Sequence, residues 1–404
     1  MALTFLPSIG PDMGHWLKAG NNVIDFGFVE GYRLNQQEHP PGLSIIMSAG
    51  IRLSLLLDIL PAFGIKIILF CFFLISWSLI EKHNSSIVAT LIVTMVLSLN
   101  ALVLSYVDIL LAPFLLLTFI SLKNQQPARA AIFFTLASMI KFYPLIIAPF
   151  MLVYFLSLAD YKVKKLLNIS AWPIVLLAVT ILVYQWSLLD ALYTAFSHKT
   201  LSAQGLNVNW LIQGSIRTDN HPLFSGTPQN YEKTVFVNFT QTLLAFFYVS
   251  TLWLFLRSGK RLEDLLLFSI IAHLSYFVFA IGVHENHLYL SFVLSVALAM
   301  IKPSYTLLAI NIALMNMMNY LFFYNLAGDG LRIWGQGMTS MCQYLSTHDG
   351  PIYPYCTMVL NNTEMDASRI IMSIINTLFF LGLWVTALKN REPASNNIPR
   401  RNPY

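Results

Sequence analysis

Apolar runs long enough to cross a lipid bilayer recur from one end of this chain to the other, and they leave few folds open. Ile87 to Leu104, Leu265 to Val283 and Ile370 to Leu388 each approach the roughly 20 residues that a spanning helix needs. Lipid offers no water to unpaired backbone groups, so such segments fold as helices or as a closed barrel. The runs are continuous and lack the strict alternation of barrel strands, which excludes the barrel. Charged residues make up 11% of the 404 residues, against about 25% in a soluble domain. The sequence reads as an all-α, polytopic transmembrane helical bundle.

Eleven spans are expected, over 62–80, 86–104, 109–122, 130–142, 144–158, 168–186, 236–256, 265–283, 287–301, 304–324 and 368–388. Basic residues cluster between them at Lys162, Lys164 and Lys165, at Arg257, Lys260 and Arg261, and at Lys389, Arg391, Arg400 and Arg401. The positive-inside pattern places these turns in the cytoplasm. The net charge of +5 thus reports topology and not a nucleic-acid partner. An odd count with a cytoplasmic C-terminal tail puts Met1 on the far side of the membrane. Gly42 to Leu60 is apolar but carries Arg52 and Asp58, and reads as a helix in the outer interface. As a span, it would turn the Lys162 cluster outward.

The resulting organisation has an acidic extracytoplasmic segment with interfacial helices over 1–61, then a transmembrane bundle over 62–388. Large outer loops are expected at 187–235 and 325–367, and a Pro- and Asn-rich disordered tail over 389–404. Cys71 falls in an apolar run and is expected to pack as a small hydrophobe. Cys342 and Cys356 share an outer loop, where a disulfide is open to them. The chain has no G-x-x-x-x-G-K-[ST] loop for a nucleotide. It also shows no internal repeat of the kind that secondary transporters carry.

Ionisable residues at span ends are costly to keep there and tend to mark function. Asp108 in LSYVDILLAP, Lys141 in SMIKFYPLIIAP, and His284, Glu285 and His287 in GVHENHLYL all map to the outer face. Asp12, four residues before Trp16, joins them there. Each has a plain structural role open to it: Lys141 snorkels to headgroups, Asp108 caps the helix that follows, and the histidines satisfy one another at the interface. Four distant parts of the chain on one face favour a shared cavity over these separate roles.

The order of these motifs resembles the GT-C superfamily of membrane glycosyltransferases, which use lipid-phosphate-linked sugars. An acidic residue stands before Trp16, followed by Pro40-Pro41-Gly42 and the Val107-Asp108-Ile109-Leu110 turn. A Lys141-Phe142-Tyr143-Pro144 helix break, an Asn207-Val208-Asn209-Trp210 loop and the His284-Glu285-Asn286-His287 turn complete it. The likeness is nearest to bacterial mannosyltransferase-like members. The glucosyltransferases of N-glycan assembly are also similar, through a late Val-His-Glu-Lys motif like Val283 to Asn286. Relatives carry a first transmembrane helix before the acidic loop, so the resemblance implies a helix ahead of Met1. They also often place a glycine before the V-D-I-L turn, where this chain has Ser105 and Tyr106.

The resemblance implies that Asp12 is the catalytic base, and the chemistry agrees. A polyprenyl phosphate leaves without protonation, so the reaction needs a carboxylate to take the acceptor's hydroxyl proton and cations to meet the charge on the departing phosphate. Lys141, His284, His287, Arg217 and Arg332 are the candidate cations. Glu285 is expected to orient a histidine; Asp25 and Glu30 are alternative bases, or the polar face of an interfacial helix. Asn209 and Trp210 are candidate sugar contacts, as is the Trp334-Gly335-Gln336 turn. No metal or other cofactor is expected. The expected partners are a polyprenyl-phosphate sugar donor, a glycan or glycolipid acceptor and the bilayer. The expected location is a bacterial inner membrane, with an endoplasmic-reticulum membrane as the alternative, to which an outward disulfide and the Asn238-Phe239-Thr240 and Asn361-Asn362-Thr363 triplets would be suited. A flippase of lipid-linked saccharides and a non-catalytic scaffold remain as other readings.

Overall fold

A computed structural model describes residues 12–35, 39–83, 86–159, 162–196, 205–215, 235–323 and 367–389. Arg217, Arg332, Cys342, Cys356, the turn at Trp334, the Asn361-Asn362-Thr363 triplet and the tail beyond Lys389 lie outside the described residues. Every regular element among the described residues is helical. In chain order these are α1 (Met13–Asn35), α2 (Pro41–Leu57), α3 (Pro61–His83), α4 (Ile87–Ser98), α5 (Leu111–Lys123), α6 (Pro127–Ile140), α7 (Ala148–Leu158) and α8 (Val163–Tyr184). Then come α9 (Trp186–Phe196), α10 (Val208–Ser215), α11 (Val235–Arg257), α12 (Leu262–Phe279), α13 (Tyr289–Ile301), α14 (Thr306–Phe323) and α15 (Ala367–Lys389).

Each of the eleven expected segments is helical, but they are not equally long. Among the described residues, helices α3, α8, α11, α12, α14 and α15 are the six long and apolar enough to cross a membrane. The pair Ile87–Val103 and Val107–Lys123, bent by 119°, makes a seventh if counted as one span. Pro127–Ile140, Tyr143–Leu158 and Glu285–Ile301 are shorter apolar helices. At about 1.5 Å per residue, fourteen residues reach about 21 Å, short of a hydrocarbon core of about 30 Å. Pro144 and the extended backbone at Lys141 (φ −143°, ψ 149°) separate α6 from α7.

Burial sorts the helices into inner and outer. Helix α12 is buried along nearly its whole length and α13 from Tyr289 to Leu298. Helix α8 packs on α6 but leaves Val163, Trp172, Val179 and Leu182 bare. Apolar exposure on this scale fits lipid and not water. Cys71 shares the outward side of α3 with Leu74 and Ile75 and is exposed. It was expected to pack inside; apolar composition alone does not say which side of α3 meets the bundle. Asn238 lies within α11, so its triplet sits in a helix and not in a surface loop.

The segment before α3 forms a compact cap. Gly27 (φ 81°, ψ 174°) breaks α1, a conformation open to glycine and strained for other residues. The second half of α1 folds back, so that Asn22 Nδ2 donates to Asn35 Oδ1 at 2.7 Å. Asn35 Nδ2 in turn reaches Ala19 O at 3.2 Å and Ser44 Oγ at 3.3 Å, tying α1 to α2. Asp25 and Glu30 are exposed on this hairpin, Glu30 paired with Arg33. Gly42 then lets α2 approach the end of α6: a β-carbon there would stand 2.4 Å from Met139 O and 3.0 Å from Met139 C. Both atoms are backbone, so Gly42→Ala is expected to force the helices apart and lower stability by about 1–3 kcal/mol. Thermal unfolding of the purified variant checks this; an unchanged midpoint would show that the two helices slide freely.

Candidate functional site

The basic clusters and the conspicuous polar motifs lie at opposite ends of the bundle. At one end Lys123 Nζ donates to Met300 O at 3.2 Å, and Lys302 pairs with Glu263 at 3.7 Å, joining the ends of α5, α12, α13 and α14. The start of α5, the end of α6, the end of α12 and the start of α13 meet at the other. Three short irregular turns supply the polar groups there. They are the turn after α4, the break after Ile140 and the Glu285–Leu288 turn.

The first of these is built by a π-helical turn over Leu99–Val103. It widens the helix so that Leu104 N bonds Leu99 O at 2.9 Å and Tyr106 N bonds Asn100 O at 2.9 Å. Ser105 then takes a left-handed conformation (φ 57°), which suits glycine better. Lys66 of α3 reaches into this region, its Nζ donating to Leu102 O at 3.4 Å. That lysine escaped the sequence reading, although a lone lysine inside the apolar run GIKIILF is itself a signal.

Asp108 and Lys141 form a buried ion pair at the centre. Lys141 Nζ lies 2.8 Å from Asp108 Oδ1, with the side chains 3% and 1% exposed. Asn286 Nδ2 donates to the other oxygen, Asp108 Oδ2, at 3.1 Å. Asp108 makes no capping bond to the helix that follows, and Lys141 does not snorkel. The Lys141 ammonium also sits 5.0 Å from the centre of the Tyr143 ring.

The histidine turn completes the cluster. Tyr143 OH hydrogen-bonds His287 Nε2, and Tyr276 OH lies 3.5 Å from His287 Nδ1. His284 is half-buried, its ring centre 5.2 Å from that of His287. Glu285 stands at the start of the tight 3-10 turn Glu285–Leu288 and accepts from Tyr106 OH. Burial raises the Glu285 carboxyl to about 8, against the lowering effect of the Tyr106 hydrogen bond.

Asp12 stands at the start of α1, and its carbonyl accepts Trp16 N at 3.0 Å. Trp16 is buried and its ring lies 5.5 Å from that of His39, which ties the acidic segment to the Pro-Pro-Gly entry of α2. The Asp12 carboxyl is close enough to Lys141, His15 and Asp108 to feel their charges. Burial raises its titration above the ordinary carboxylate range, Lys141 and His15 lower it, and Asp108 adds to the rise. Thus Asp12, Asp108, Lys141, Glu285 and His287 occupy one neighbourhood.

Asn209 and Trp210, at the start of α10, pack against the end of α12. Asn209 Nδ2 donates to Phe279 O at 3.0 Å and Ala280 O at 2.6 Å, and Asn207 Nδ2 to Phe277 O at 2.8 Å. Both amides cap carbonyls at the end of α12, and Trp210 is 3% exposed in the core. These residues hold the loop onto α12. Tyr106, Tyr143, Tyr276 and Asn286 carried no expected role of their own, because aromatic residues at span ends also serve as interfacial anchors. Among the described residues no three of His, Cys, Asp and Glu are grouped to hold a metal ion. No family model matches the chain and neither does any curated protein, so its activity must be argued from the site itself.

Proposed function

We propose that this chain is a GT-C-like membrane glycosyltransferase that moves a hexose from a polyprenyl-phosphate donor to a lipid-linked or envelope glycan, with inversion. The observation that carries the reading is the meeting of Asp12, Asp108, Lys141, Glu285 and His287 from four distant chain segments at one end of an apolar bundle. Asp12 takes the acceptor hydroxyl's proton as that oxygen attacks the anomeric carbon. The bond to the phosphate breaks on the opposite face, and its electron pair leaves with the polyprenyl phosphate. Lys141, with His284 and His287 beside it, meets the charge that develops there. The Asp108 carboxylate holds the ammonium in place. An eleven-span course with this site on the extracytoplasmic face, in a bacterial inner membrane, belongs to the same proposal.

The test is transfer from labelled mannosyl and glucosyl polyprenyl phosphates by the reconstituted protein. Glycosidic product with inverted configuration and free polyprenyl phosphate is expected. A second reading, a flippase for lipid-linked saccharides, draws on polar groups buried inside helices, namely His273, Asn316 and Asn319. Movement of the donor between leaflets without product would establish that reading and end the first.

Glu285 sets an alkaline limit. It is protonated at neutral pH and loses its proton as pH rises through about 8. The new negative charge near Asp108 and Asp12 then opposes the charge growing on the phosphate. The kcat/KM of transfer is expected to fall about tenfold per unit above that point, and Glu285→Gln is expected to remove this limb whatever it does to the plateau. An alkaline limb that persists in the variant would exclude Glu285 as its source.

A further inference from the structure

The break between α6 and α7 brings one tyrosine against two of the groups assigned to the donor's phosphate. Its backbone is extended at Lys141 (φ −143°, ψ 149°) and closes into a short 3-10 turn from Tyr143, with Pro144 at the turn's start. Tyr248 OH of α11 donates to Ile146 O at 2.6 Å, which holds the turn in place. Phe142 is buried in a small cluster of its own with Tyr32, Tyr184 and Leu188. Lys141 and Tyr143, on either side of it in the chain, meet the residues of the site. The Lys141 ammonium lies 5.0 Å from the Tyr143 ring centre, within the range at which the ring's negative face attracts a cation.

The same side chain reaches the histidine turn. Tyr143 OH hydrogen-bonds His287 Nε2, and the two ring centres stand 4.2 Å apart at 60°. Tyr276 approaches that imidazole at its other nitrogen, with the hydroxyl 3.5 Å from Nδ1 and the rings 24° from parallel. A tyrosine that only anchors a span end turns its hydroxyl to the water or headgroups, whereas the Tyr143 hydroxyl is turned to His287. We propose that Tyr143 is a positioning residue: its ring steadies the Lys141 ammonium and its hydroxyl the His287 imidazole, so that the two act on the departing phosphate as one unit. Charge that develops in a transition state is met best by groups already in place. The inference rests on the glycosyltransferase reading and assigns a part in it to a residue that itself carries no charge.

Combined variants test it through the kcat/KM of hexosyl transfer from a labelled polyprenyl-phosphate donor. Tyr143→Phe removes the hydroxyl and keeps the ring, and is expected to lower kcat/KM about tenfold, as the loss of an orienting hydrogen bond does. In a His287→Gln background the same change is expected to cost nothing further, because the hydroxyl acts through the imidazole. Tyr143→Leu removes the ring as well and is expected to fall about tenfold below Tyr143→Phe. That second loss should vanish where Lys141→Met is combined with Asp108→Asn, which leaves no buried charge and no ammonium to steady. A residue that merely packs the break would lose the same factor in every background, and that result overturns the inference. So does a Tyr143→Phe rate equal to that of the wild type. Should Tyr143→Leu fail to fold, Tyr143→Phe with and without His287→Gln still decides. A wild type that transfers no hexose has a different meaning: the glycosyltransferase reading itself is then wrong, and the inference falls with it.

Discussion

Asp12→Asn is expected to lower hexosyl transfer by about 10²–10⁴-fold, the usual contribution of a general base, while leaving the fold intact. The amide keeps the size of the carboxyl but cannot accept the proton. The helix start that Asp12 provides depends on its backbone carbonyl, which accepts Trp16 N, so the substitution does not remove that bond. Burial raises the Asp12 carboxyl above its ordinary range and Lys141 and His15 only partly oppose it. The working form is the carboxylate. Activity is thus expected to rise with pH through an acidic limb that lies above the range of a free aspartate, and the limb should be absent from the residual rate of the variant. Initial rates with a labelled donor across the pH range measure both. A variant with wild-type rates would remove Asp12 as base. Glu285, protonated near neutrality, would not replace it; Asp25 and Glu30 stand exposed on the α1 hairpin.

Much of this site is legible in the sequence, and the reason is physical. A charged side chain in an apolar setting needs a partner, so Asp108 and Lys141 announced themselves as isolated charges and did meet. The same argument applied to Lys66, which went unremarked because it lies inside a run and not at its end. Helix content was equally plain from the continuous apolar runs. Helix length was not: hydropathy reports what an element is made of, and the breaks at Ser105, Lys141 and Ala280 depend on backbone geometry. Partner choice was hidden for a different reason: Glu285 meets Tyr106 across 179 positions of the chain. The hydroxyls of Tyr106 and Tyr143 look in sequence like those of any interfacial tyrosine. The end of α12 presents carbonyls that need donors, and Asn207 and Asn209 meet that need, which their motif alone does not announce.

Lys141→Met is expected to cost about 3–5 kcal/mol of stability, because it leaves the Asp108 charge buried without its cation. With the two side chains 3% and 1% exposed, solvent screens the pair little, unlike a surface pair worth about 1 kcal/mol or less. Asn286 would still donate to Asp108 Oδ2, but one amide does not neutralise a carboxylate. Asp108→Asn should cost about as much for the mirror reason, a buried ammonium left alone. The double variant Asp108→Asn with Lys141→Met buries no charge and is expected to return to within about 1–2 kcal/mol of the wild type. Unfolding in detergent by heat or denaturant gives all four corners of the cycle. Independent costs that simply add would show that the two groups do not depend on each other in the folded protein. Activity separates the two roles of the pair: the double variant regains its fold but has no ammonium to meet the departing phosphate, so its transfer rate should stay as low as that of Lys141→Met. Recovery of transfer along with stability would make Asp108 and Lys141 a structural clamp, and the charge on the phosphate would have to be met by the histidines alone.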